Sequence, residues 1–133
     1  MDTKNLAPKC LTAQELQHLV EYRPTKAAKY YGPLLSHEQV YTIVYNAPIS
    51  AAKHLGPRLD SKQIQRIVKA APLAAARYLP GQLTNDQRAY ILAEIPFGAF
   101  AHISTHLTKE EVIGFALLHP DIYQAQSLNT YPK

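Results

Sequence analysis

Leu35-Ser36-His37-Glu38-Gln39-Val40-Tyr41-Thr42-Ile43-Val44-Tyr45-Asn46-Ala47-Pro48 specifies one short helix, its start and its stop. Ser36 is an N-cap, whose hydroxyl can accept from the third helical N–H while the Gln39 side chain reaches back to the cap N–H. Leu35, just before the cap, sits where a hydrophobic staple belongs. Val40, Ile43 and Val44 then fall on one helical face. Pro48 ends the helix, because the residue before a proline is pushed out of the α region. It also suits the first turn of the next helix, where no N–H is needed.

The stretch recurs on both sides. Prolines stand at 24, 48, 72, 96 and 120, and leucines at 11, 35, 59, 83 and 107, each series spaced by 24 without a slip. Each leucine is followed by a cap residue (Thr12, Ser36, Asp60, Thr84, Thr108). Three residues after each cap comes Glu15, Gln39, Gln63, Gln87 or Glu111. Each box is worth about 1 kcal/mol to its helix. The apolar face repeats as Leu16, Leu19, Val20 and as Ile64, Ile67, Val68. After each of the first three prolines come paired alanines (Ala27-Ala28, Ala51-Ala52, Ala75-Ala76), small enough for helices to approach closely. Gly32-Pro33, Gly56-Pro57 and Pro80-Gly81 follow. There the second helix is expected to break, with glycine taking a left-handed cap conformation.

Such short helices are not stable alone; each repeat must bury its apolar face against its neighbours. The chain thus reads as all-α, a right-handed α-solenoid of five tandem 24-residue helix-turn-helix repeats. The repeats are 11–34, 35–58, 59–82, 83–106 and 107–130, preceded by a lead-in at 1–10, all within one domain of residues 1–133. Helix spacings of about 8–10 Å predict a rod or shallow arc on the order of 40–50 Å long. A compact helical bundle is the competing architecture, and the unbroken period argues against it.

Charge divides the chain. Residues 1–82 hold eleven Lys/Arg against five Asp/Glu, a net of +6, while residues 83–133 hold three against five, a net of −2. A repeat turns each position into a row of side chains. Lys29, Lys53 and Arg77 form one row on the second helix, beside Tyr30, His54, Tyr78 and His102. On the first helix of the third repeat, Lys62, Arg66 and Lys69 line one face with no acid between them. Cations beside flat rings suit an acidic protein surface, where Tyr and Arg are favoured anchors. They equally suit phosphates with stacked bases. A merely solvated face, with the rings half buried between repeats, is the third reading.

The pattern breaks in two places. Arg88 stands where other repeats have Leu16, Val40, Ile64 and Val112; either it snorkels from a rotated helix or it aims at a bound anion. In the last repeat Ile113 and Leu117 replace polar residues, leaving Val112, Ile113, Phe115, Ala116, Leu117 and Leu118 apolar nearly all round. Two covers suit such a helix. One is the tail Ser127 to Lys133; the other is a homodimer interface through Ile113, Phe115, Leu117 and Leu118.

Nothing in the chain forms a glycine-rich phosphate loop, a nucleophile elbow or zinc spacing. His102 and His106 stand four apart, but no Cys or nearby acid completes a metal site. Glu110 and Glu111 open a helix, where acids favour the dipole. No catalytic residue, cofactor or metal is therefore expected, and a lone Cys10 reads as an incidental thiol. No apolar run reaches the roughly 18–20 residues that span a bilayer. Met1-Asp2-Thr3-Lys4-Asn5 lacks the pattern of a signal peptide. A cytoplasmic site is expected, or the nucleus or a host cell for an effector.

The unit Leu-Ser/Thr-x-Glu-Gln-Val-x-x-Ile-Val-x-x-x-Pro-x-x-Ala-Ala-x-Tyr/His-Leu-Gly-Pro resembles the short two-helix repeats of the leucine-rich variant kind, over residues 11–128. That resemblance implies two short helices per repeat and binding of protein or nucleic acid. Residues 35–44 are also similar to the first helix of transcription-activator-like effector repeats. Those continue into a glycine-rich base-reading loop, whereas Tyr45-Asn46-Ala47-Pro48 follows here, so no base-by-base code carries over. The expected function is a non-enzymatic adaptor or inhibitor that engages an acidic protein partner through Lys29, Tyr30, Lys53, His54, Lys62, Arg66, Lys69, Arg77 and Tyr78. The alternative is a nucleic-acid-binding solenoid that uses the same rows on phosphates.

Overall fold

The five prolines set the architecture. In the computed structural model, which describes the backbone of residues 11–130 and the side chains of residues 11–125, a helix ends just before each proline and another begins on it. The first helices of the repeats are α1 (Ala13–Tyr22), α3 (His37–Asn46), α5 (Ser61–Ala70), α7 (Asn85–Glu94) and α9 (Lys109–Leu118). Their partners are α2 (Pro24–Tyr31), α4 (Pro48–Leu55), α6 (Pro72–Tyr78), α8 (Pro96–Ile103) and α10 (Pro120–Thr130). No strand occurs among the described residues.

One residue makes each corner. Arg23, Ala47, Ala71, Ile95 and His119 all adopt φ between −146° and −136° with ψ between 62° and 70°, outside the helical region as a residue before proline must be. Each still donates its N–H to the helix behind it, as Ala47 does to the Ile43 carbonyl at 2.7 Å. Its own carbonyl accepts the first bond of the helix ahead, from Ala51 N–H at 3.0 Å. The proline needs no N–H at this point, so the corner leaves few backbone groups unpaired.

All five capping boxes form. In the second repeat Gln39 N–H donates to Ser36 Oγ at 3.1 Å and Ser36 N–H to Gln39 Oε1 at 2.8 Å; the other four repeat this geometry. The boxes also join repeats. Gln39 Nε2 donates to Gln17 Oε1 at 3.0 Å, and Gln87 Nε2 to Gln65 Oε1 at 2.9 Å, each reaching the preceding repeat. Gln63 stands at the equivalent place in the third repeat, but the matching acceptor position holds Tyr41. Its Nε2 is left buried without a partner.

Packing is one-dimensional. The principal helix contacts all join elements of the same repeat or of adjacent repeats. Successive partners α2, α4, α6, α8 and α10 form one layer, and α1, α3, α5 and α7 stack likewise in the other. Between the layers lie Ile43, Leu55, Ile67, Leu79, Ile91 and Ile103, all essentially inaccessible to water. The paired alanines 27–28, 51–52 and 75–76 are equally buried, the close approach their size permits. Apolar contact between neighbours thus drives the stack, as short helices require.

The glycines at the ends of α2 and α4 differ from expectation. Gly32 and Gly56 have φ of −45° and −43°, in the right-handed region, and no described residue has positive φ. The chain leaves each helix through a 3₁₀ turn (Gly32–Leu34, Gly56–Arg58) instead of a left-handed cap. Space favours glycine most clearly at Gly32, where a Cβ would lie 3.2 Å from Leu55 Cδ2; one on Gly56 would meet Leu79 Cδ2 at 3.4 Å, the limit of ordinary contact. The carbonyls of both buried glycines are also met from the next repeat, by Arg58 Nη1 at 2.6 Å on Gly32 and Gln82 Nε2 at 2.9 Å on Gly56.

Candidate binding surface

The layer of α2, α4 and α6 carries the first basic row. Lys29, Lys53 and Arg77 are exposed, one per repeat near the end of each helix. None of them has a carboxylate partner among the described residues, where the nearest approach to an ion pair is His37 to Asp60 at 3.9 Å. Tyr30 and Tyr78 are half-buried beside them. The neighbouring cation overhangs each ring, with Lys29 Nζ 5.2 Å from the Tyr30 centroid and Arg77 Cζ 5.4 Å from that of Tyr78. Such contacts hold a long side chain in place while leaving its hydrogens available. His54 lies in the same field: burial, then Lys53 and Lys29, lower its pKa below the ordinary value, because a second positive charge is costly there.

Lys62, Arg66 and Lys69 do not join this row. They are exposed on α5, in the other layer. Their neighbours are tyrosines of flanking repeats, with Arg66 Cζ 4.3 Å from the Tyr45 ring on α3 and Lys69 Nζ 4.0 Å from the Tyr90 ring on α7. The nine residues grouped from the sequence are therefore two cationic surfaces on two helix layers. Tyr45 and Tyr90 escaped the sequence reading because they occupy different repeat positions and meet α5 only after stacking.

A further row was missed. The residue after each proline reads Thr25, Ile49, Leu73, Phe97 and Asp121. The three apolar members are exposed, Ile49 by 59%, Leu73 by 47% and Phe97 by 69%. Ile49 and Leu73 precede Lys53 and Arg77 by four residues, so each pair shares a helical face. Ile49, Leu73, Arg77, Tyr78 and Ile95 line one shallow groove across repeats 2 to 4. The 24-residue period was the available signal, but a single large apolar residue in a helix is by default assigned to the core.

At the pattern breaks, Arg88 turns inward: Nη1 donates to the Leu83 carbonyl at 2.6 Å and Nη2 to Asn85 Oδ1. These two contacts brace the start of its own repeat, while its Nε is buried without a partner. In the last repeat Leu117 and Leu118 are each 78% exposed and Ile113 51%. Phe115 departs from its expected place in a dimer interface. It is buried, stacked on Phe100 at 4.2 Å with the rings nearly parallel, and Tyr123 meets Phe100 edge-on at 6.0 Å. The core takes Phe115 because α8 offers Phe100 where earlier repeats have alanine. Cys10 and the side chains of the tail Ser127 to Lys133 lie outside the described residues.

His102 and His106 are both exposed, and no three His, Cys, Asp or Glu side chains converge among the described residues. No described helix is long and apolar enough to cross a membrane. No family model, curated protein or solved structure matches this chain.

Proposed function

We propose that this protein is a non-enzymatic binding module, an adaptor or inhibitor that engages an acidic protein partner through the α2–α4–α6 layer. One observation carries the reading: exposed cations (Lys53, Arg77) and exposed apolar side chains (Ile49, Leu73) share the same helical faces. A phosphate backbone is satisfied by cations alone, whereas protein interfaces combine apolar anchors with a charged rim. The test is capture at physiological salt, comparing the wild type with a Lys53→Glu, Arg77→Glu double variant. Acidic proteins retained by the wild type and lost by the variant are expected. Identical capture by both would refute the assignment of this face.

Nucleic acid is the second reading, and the α5 cations favour it. Lys62, Arg66 and Lys69 are exposed together, two of them steadied on tyrosine rings. Binding of duplex, single strand or RNA through them should weaken steeply from low to moderate salt, and Arg66→Ala should flatten that slope. Absence of any gel shift at low salt ends this reading. Self-association through Ile113, Leu117 and Leu118 is compatible with either. Leu118 shares one cavity with Ala89, Ala93 and Phe115, and the charged member of its lining, Glu111, is engaged in its capping box with Thr108.

A further inference from the structure

The apolar ridge and the cation row together restrict the shape of the partner. Ile49, Leu73 and Phe97 project from equivalent positions of three consecutive repeats, hence at the spacing of packed helices, about 8–10 Å. An extended chain advances about 3.3 Å per residue. It would cover one repeat in three residues, and its side chains, alternating with period two, would face the ridge only at every second step. An α-helix advances 1.5 Å per residue, and seven residues, about 10.5 Å, return nearly to the same side. A helix laid slightly obliquely across the stack therefore presents a continuous apolar stripe to all three anchors. Its flank then runs beside Lys53 and Arg77, four residues further along α4 and α6.

Resting on the reading of this layer as an acidic-partner surface, we infer that it receives one amphipathic, acidic α-helix of a partner protein. That helix crosses repeats 2 to 4 with its apolar stripe on Ile49, Leu73 and Phe97 and its carboxylates on Lys53 and Arg77. Charge complementarity selects the occupant: the two cations flanking the ridge have no carboxylate partner among the described residues. The fourth repeat has Ala101 where the others have cations, so the helix needs no acid at that end.

The test uses three fluorescein-labelled peptides of 21 residues with the full chain: an amphipathic helix of leucines every third and fourth residue flanked by glutamates, the same composition scrambled to abolish the stripe, and polyglutamate. Anisotropy should rank the amphipathic peptide at least about tenfold tighter than the other two. Leu73→Ser and Phe97→Ser, both at exposed sites, should each weaken it by about tenfold while leaving polyglutamate unchanged. Arg77→Ala should weaken all three, and unchanged thermal melts confirm that the variants fold. Equal binding of the three peptides, or indifference to Leu73→Ser, overturns the helix inference while the charge reading survives. Failure of every peptide to bind overturns both.

Discussion

One substitution, glycine to alanine, should act with opposite signs at two places in this stack. Gly114 lies mid-way along α9, and a Cβ built there meets nothing within 4 Å. Alanine should therefore supply only its advantage in a helix, about 0.5–1 kcal/mol from the smaller conformational entropy of the unfolded chain. Gly32 has equally helical angles (φ −45°, ψ −51°), so the same entropic gain applies. Its Cβ, however, would stand 3.2 Å from Leu55 Cδ2. Leu55 is itself fully buried between repeats and has little room to withdraw. Overpacking of a tight core costs about 1–3 kcal/mol, which exceeds the gain. Urea denaturation followed by circular dichroism should move the midpoint up for Gly114→Ala and down for Gly32→Ala, with unchanged slopes. Stabilisation by both would refute the close approach of α2 to α4. Destabilisation by Gly114→Ala would refute the open helical environment assigned to α9.

Four further outcomes are expected. Tyr41→Gln should place an acceptor where Gln17 and Gln65 serve the neighbouring boxes, pairing the buried Gln63 Nε2 and stabilising by about 1 kcal/mol; a lower melting temperature would count against the ladder. Ile67→Ala, in the middle of the core, should cost about 2–5 kcal/mol in the same denaturation assay, and a loss below 1 kcal/mol would argue against tight stacking there. His54 should titrate by NMR below its usual midpoint of about 6.5, and Lys53→Ala should raise that midpoint more than Lys29→Ala. Because its folded pKa is depressed, the unfolded chain binds the extra proton first. The His54 contribution to stability is therefore complete above pH 6.5 and lost as pH falls through the folded pKa. Finally, Ile113→Lys should abolish any concentration-dependent rise in mass seen by light scattering; a wild type monomeric at high concentration would dismiss self-association.

The helices and their boundaries were legible because their signals are local. A capping box spans four residues, and a proline acts on its own N–H and on the residue before it. Both keep their meaning wherever the chain goes. The 24-residue period then dictated that neighbours must stack, and the alternation of Val40, Ile43 and Val44 with polar residues showed which side would face inward. What stacking decided lay beyond that range. Gly32 could not be read as a spacing residue until Leu55, 23 positions later, was seen against it. Phe115 was indistinguishable from Ile113 and Leu117 until Phe100 claimed it for the core. Lys62, Arg66 and Lys69 were legible as one face of a first helix, but only stacking set Tyr45 and Tyr90 of the flanking repeats against Arg66 and Lys69. Ile49, Leu73 and Phe97 recur after successive prolines, but their exposure as a ridge appears only once the repeats are stacked. Local chemistry by itself determined the elements, their ends and their order. Only the packing of one repeat on the next determined which side chains remain on the surface to bind, because exposure depends on what the adjacent repeat leaves uncovered.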